Sequence, residues 1–261
     1  MNRLKSLLFV IPALLFAGLL CYAVFNALSI YIPQQRERRD FEELKKSVQV
    51  SVEASAQAAG ERDTEADSPP DGNRYRALQE RNGDFAGWLK IEDSKIDYPV
   101  MKSSEDDPEY YLHRDFDGND SFSGCLFIGG GCDENSDCFV IYGHKMNNDS
   151  MFGTLDFYAE YDYAAEHGEI RFSTPEGERI YHVFAAFRTK IYTDRDDVFQ
   201  YYEAVGDLDE EAYQQTVESV RALSIPRLPD APTYPAQLLF LSTCSYHTED
   251  GRFVVAACRV K

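Results

Sequence analysis

The chain has 261 residues, 44% of them hydrophobic, and a formal net charge of −19. That is long enough for one domain of ordinary size together with an anchor and a linker. So acidic a chain lacks the basic footprint that phosphate backbones require, which excludes nucleic acid as a partner and otherwise reports only on solubility and self-repulsion.

Residues 7–32 form an almost unbroken apolar run, interrupted by Pro12, Gly18, Asn26 and Ser29. It exceeds the roughly 20 residues that a bilayer-spanning helix needs. It is read as a single-pass membrane anchor behind a short segment, 1–6. Arg3 and Lys5 precede it, and Arg36, Arg38 and Arg39 follow with Glu37 and Asp40 among them, so basic residues alone do not orient it. A cleaved leader is the competing reading, with Ala27-Leu28-Ser29 as a small-x-small site, although a signal core is only about 7–15 residues long. Residues 41–59, rich in Glu, Lys, Ala, Ser and Gln, predict a polar helix. Residues 60–73 have no apolar face and carry Pro69-Pro70, which predicts a solvated linker. Segment 33–73 would then space a folded domain, 74–261, from the bilayer.

A short helix over 75–81 opens that domain. Short strands punctuated by turns follow, near 87–91, 96–100, 124–128, 138–142, 169–173, 179–188, 237–243 and 252–260. This succession predicts a mainly β fold, a barrel or a sandwich rather than a doubly wound sheet. Two helices interrupt it. One is short, over 154–166. The other spans 208–223, where Tyr213, Val217, Val220 and Leu223 repeat at helical spacing and give a face to bury. Asp207 with Glu210 three residues on reads as its capping box, and Pro226 and Pro229 stop it.

Two apolar strands each end in a reactive side chain: Phe139-Val140-Ile141-Tyr142-Gly143-His144 and Leu238-Leu239-Phe240-Leu241-Ser242-Thr243-Cys244. A third segment, Asp250-Gly251-Arg252-Phe253-Val254-Val255-Ala256, places Arg252 at a strand start. If the last two strands form a hairpin, Cys244 and Arg252 meet near its loop. A thiolate is the nucleophile of acyl transfer, and a neighbouring imidazolium or guanidinium stabilises it. A histidine can protonate the leaving amine and deprotonate an incoming one. An arginine can stabilise a tetrahedral oxyanion or hold a peptide backbone. On residue types alone the bland alternatives stay open: Cys244 as a packed strand-end residue, His144 as a turn histidine, Arg252 as a surface hairpin residue.

The segments together resemble the class B sortases. The matching pieces are Tyr142-Gly143-His144 with Met146 and Ser150-Met151-Phe152, then Leu241-Ser242-Thr243-Cys244-Ser245-Tyr246, then Gly251-Arg252-Phe253-Val254-Val255. Upstream, the stretch from Asn82-Gly83-Asp84 through Trp88-Leu89-Lys90-Ile91, Ile96-Asp97-Tyr98-Pro99-Val100 and Tyr110-Tyr111-Leu112 is similar too. The resemblance spans roughly residues 74–261. It implies a sortase-type eight-stranded β-barrel with an N-terminal helix and an added helix in the long connection before the cysteine strand. It also implies a membrane-anchored cysteine transpeptidase whose catalytic domain is extracellular. In that scheme Cys244 attacks a sorting-signal carbonyl of a surface protein and forms a thioester, His144 is general acid and base, and Arg252 aids oxyanion and substrate. An amine from a peptidoglycan precursor or a pilin lysine resolves the thioester. Ser242 and Thr243 fall where the family's cysteine strand borders the substrate. No cofactor or metal is implied. Lys145 departs from the class, which frequently has Asn there, and so does the loop from Gly129-Gly130-Gly131-Cys132 to Cys138. An extracellular cysteine protease and a non-catalytic surface binding module are the competing functions; a pure binder has no reason to assemble Cys244, His144 and Arg252.

The remaining candidates are weaker. Cys132 and Cys138 flank five residues; a disulfide there would add only about 2 kcal/mol, and the acidic loop is read as solvated rather than as a calcium site. Cys258 is read as core: six residues from Arg252 along one strand, it would lie about 20 Å away, too far to be a redox partner for Cys244. His247 is the sequence rival of His144 as the base. His113, His167 and His182 are read as structural or surface residues.

Overall fold

The computed structural model describes residues 2–59, 72–192, 198–229 and 231–261, with side chains for all of these except 2–15, 30, 33–34, 49–59 and 72–74. The chain divides into two compact units, Met1–Glu43 and Leu44–Lys261. Helix α1 (Asn2–Ala59) supplies the first unit and enters the second. Among the described residues no helix is long and apolar enough to cross a membrane. The first part of the apolar run, residues 7–15, lies outside the described side chains, and most of the expected linker, 60–71, outside the described residues. Within the first unit, Phe16, Leu19, Leu20, Phe25 and Tyr31 are exposed.

The second unit is built on eight strands: β1 (Phe85–Lys90), β2 (Asp97–Lys102), β3 (Leu126–Ile128), β4 (Cys138–Tyr142), β5 (Glu169–Thr174), β6 (Gly177–Lys190), β7 (Leu238–Cys244) and β8 (Gly251–Arg259). They close into a barrel in the order β1-β2-β3-β4-β7-β8-β6-β5, so no edge is left unpaired. Only β2/β3 and β4/β7 are parallel. The eight expected strands are all present. The sandwich alternative falls away.

Helix α4 (Glu210–Leu223) explains why β4 and β7 read as continuous apolar runs rather than alternating ones. It packs Tyr213, Val217 and Val220 over the outer barrel face, where Cys138 and Val140, Leu238 and Phe240, and Val254, Ala256 and Cys258 form one buried cluster. These residues alternate with inward ones such as Phe139, whose ring meets those of Phe172 and Tyr181. Strands covered on both faces lose the polar half of their period. Cys258 is therefore core, as expected, and the ladder puts it opposite Leu238 while Cys244 pairs with Arg252. The cap of α4 differs from expectation. Asp209, not Asp207, is the N-cap, its side chain accepting from the Ala212 amide at 2.9 Å, and the helix starts with Glu210 and Glu211 at its positive end.

The short helix expected over 154–166 is two pieces, a 3-10 turn Leu155–Ala159 and helix α3 (Tyr161–Glu166), because Glu160 between them is extended. Helix α2 (Gly72–Arg81) buries Tyr75 and Leu78 against the barrel, with Tyr75 stacked on Phe85. From the end of α1 that belongs to this unit, Leu44 and Val48 are buried, and Lys45 pairs with Asp97 at 3.1 Å. Cys132 and Cys138 are not bridged to one another. The loop between those two is held by hydrogen bonds: Arg179 donates to the Glu134 carbonyl and to Asn135, and Gln237 donates to the carbonyls of Glu134 and Ser136.

Candidate active site

The face that α4 covers continues past the helix. Side chains alternate along a strand, so residues two and four beyond Val140 and Phe240 keep their direction. Tyr142 ends β4 with His144 two residues beyond it, Ser242 and Cys244 follow on β7, and Arg252 precedes Val254 on β8. Register then brings them level: Tyr142 lies opposite Ser242 and Cys244 opposite Arg252. Together they line a cavity of ≈ 510 Å³ whose other walls include Leu112, Glu109, Phe127, Gly129, Ile191, Tyr202 and Asp250. All five residues singled out in the sequence, Cys244, His144, Arg252, Ser242 and Thr243, are on this cavity.

Each is held differently. Cys244 and Arg252 are half-buried at the strand rim, and the Arg252 guanidinium donates to the carbonyls of Asp250 and Gly251 at 3.3 and 3.1 Å. Ser242 is buried, and its hydroxyl shares a hydrogen bond of 2.7 Å with Tyr201. Burial pushes the Tyr201 phenol up to about 12, against the lowering effect of Ser242 and Arg252, so it stays protonated. The Thr243 hydroxyl donates to the Gly143 carbonyl at 2.7 Å, and the Gly143 amide donates to Ser242 at 3.1 Å. These bonds tie the histidine segment to the cysteine strand. Gly143 has to be glycine for a steric reason: a Cβ would come within 2.4 Å of the Leu126 side chain and 2.7 Å of Phe152. Thr243→Val removes a donor from a buried carbonyl and is expected to cost about 1–3 kcal/mol; thermal unfolding of the variant measures it.

His144 is anchored by an element 32 residues upstream. Its Nε2 lies 2.9 Å from the carbonyl of Leu112, in the 3-10 turn Tyr110–His113. A carbonyl only accepts, so Nε2 carries the proton, and Nδ1 is the nitrogen left to exchange one. Burial lowers the proton affinity of His144, the Leu112 bond partly restores it, and the His113 ring lowers it again. The expectation for His113 as a structural or surface residue is incomplete: it is exposed, yet its ring centroid is 5.5 Å from that of His144. The turn lies close because Gly124 (φ +59) passes against it; a Cβ there would be 2.3 Å from the Leu112 oxygen. Lys145 is held by Asp156 at 2.5 Å and sits over the Tyr246 ring. His247 is engaged with Ser245 at 3.0 Å and is not among the residues lining the cavity.

A thiol, an imidazole with one free nitrogen and a guanidinium around one cavity at the mouth of a closed barrel define a cysteine-dependent acyl-transfer enzyme. The family model described as the sortase domain matches residues 89–260, and the chain belongs to the sortase family, within class B, as a cysteine transpeptidase of surface proteins. It is 24% identical over 266 residues to sortase B of Staphylococcus aureus, covering 99% of each chain. It is 29% identical over 191 residues to sortase B of Listeria monocytogenes, covering 70% of this chain and 72% of that one. A Staphylococcus aureus sortase B–substrate complex shares the fold at a TM-score of 0.72, with 22% identity over 88% of this chain and 99% of that one. A Bacillus anthracis sortase B structure does so at 0.70, with 23% identity over 88% and 99%.

Proposed function

We propose that Cys244 is the nucleophile, His144 the general acid and base, and Arg252 the oxyanion and substrate partner in transfer of a sorting-signal acyl group to an amine. The convergence of three strand ends on one cavity carries this reading. The thiolate sulfur attacks the scissile carbonyl carbon, and negative charge moves to its oxygen, near Arg252. As the C–N bond breaks, the departing amine takes a proton from Nδ1 of His144 and a thioester remains. An incoming amine then attacks the thioester, loses its proton to Nδ1 and releases the thiolate. Ser242 borders the bound peptide from the cavity wall, its hydroxyl being shared with Tyr201. Thr243 does so through its methyl, its hydroxyl being committed to Gly143.

The acceptor is an amine of a peptidoglycan precursor or a pilin lysine. The apolar run 7–32 supports a single-pass anchor, and the family resemblance favours segment 1–6 in the cytoplasm with domain 74–261 working outside the cell. Incubation of the full chain with sorting-type peptides, with and without glycyl or lysyl amines, tests the transfer step by mass spectrometry. Ligated product rising with amine is the expected result. Cys244-dependent cleavage to the free acid alone, unchanged by any amine, would make the protein a protease instead.

A further inference from the structure

We propose that His113 is a positioning residue for His144: a second proton-bearing ring that sets the charge state of the proton-transferring imidazole beside it. This rests on the reading of His144 given above. The 3-10 turn Tyr110–His113 acts on His144 twice over. Its Leu112 carbonyl holds Nε2 at 2.9 Å, and the next residue sets its ring 5.5 Å from the His144 ring. The turn is itself tied down, since Ser121 and Cys125 donate to the carbonyls of His113 and Tyr111 at 3.0 Å each. Imidazoles change charge near neutral pH, and two this close titrate as a coupled pair. A charged His113 therefore opposes charging of His144, consistent with the direction of its effect on that residue.

The other charges around the pair are accounted for. Arg114, next to His113, is paired with Asp120 and lies over the Tyr110 ring. Lys145, next to His144, is paired with Asp156. Glu109 at the start of the same turn, Cys244 at the end of β7, Asp250 in the loop before β8 and Arg252 on β8 line the same cavity as His144. Of these neighbours His113 is the one whose ring lies against that of His144, tilted by 41° at 5.5 Å between centroids. In the acyl cycle the imidazolium forms when the thiol ionises, is spent when the departing amine is protonated, and forms again when the acceptor amine is deprotonated. A neighbour that loads with protons as pH falls limits how long His144 stays charged, and favours the form that accepts the acceptor's proton.

The test is a histidine NMR titration of the full chain in detergent, labelled at histidine Cε1, in the parent, His113→Asn and His113→Arg. A water-screened unit charge at this separation corresponds to about half a pH unit. His113→Asn is expected to raise the His144 midpoint and to turn a broadened curve into a single-site one, and His113→Arg, charged at every pH, to lower it, the two variants differing by about that half unit with the parent between them. Equal midpoints in all three proteins, or shifts in the same direction in both variants, overturn the proposal. His144→Asn in the peptide-ligation assay separates this failure from the other: if it retains full ligation, the role of His144 is wrong whatever the titration shows.

Discussion

Cys244→Ala is expected to abolish both ligation and cleavage of sorting-type peptides, a loss of at least about 10³-fold, while the fold is retained. The size follows from the chemistry. Without the sulfur no covalent intermediate forms, and groups that act as one unit lose nearly everything when one member goes. The fold survives because Cys244 is only half-buried, at the very end of β7, whereas the packing of that strand rests on Leu238 to Leu241, all fully buried. Turnover with a peptide and an amine, alongside a thermal melt, measures both halves. A variant that melts like the parent and still ligates would remove Cys244 from the mechanism.

Arg252→Ala is expected to lower kcat by about 10²–10³-fold, the usual cost of removing one preorganised oxyanion donor, with a smaller change in KM. Arg252→Lys is expected to recover only part of it. The guanidinium spends donors on the carbonyls of Asp250 and Gly251 and still has others to offer the cavity. A lysine ammonium has three donors on a flexible stem and cannot do both in the same geometry. The kcat of the three proteins with one peptide and one amine decides it; a lysine variant equal to the parent would reduce the role of Arg252 to charge alone.

How far the sequence reached can be judged from particular residues. The short apolar segments, such as β4, β7 and β8, and the turn residues between them were enough to locate every strand, because burial in a barrel leaves those marks directly. His144, Cys244 and Arg252 were legible because each stands at a strand end inside a recognisable segment. The cap of α4 was misplaced by two residues: Asp207 and Asp209 are chemically identical candidates, and only the backbone at Asp209, extended before the first helical turn, chooses between them. The break at Glu160 was illegible for a similar reason, since nothing in its side chain forbids a continuous helix. The contacts that complete the site left no trace at all. A backbone carbonyl such as Leu112 has no sequence signature, and the Tyr201–Ser242 bond joins residues 41 positions apart. His113 looked like any exposed histidine until the turn that carries it was seen against His144.

The account centres on a thioester at Cys244. The most direct measurement is the intact mass of the full chain after incubation with a sorting-type peptide and no amine, followed by site-resolved peptide mapping and hydroxylamine treatment. The account predicts an added acyl mass on Cys244, absent from Cys244→Ala and released by hydroxylamine. Peptide cleavage with no acyl group on Cys244, or with the same acyl mass in the alanine variant, would contradict it.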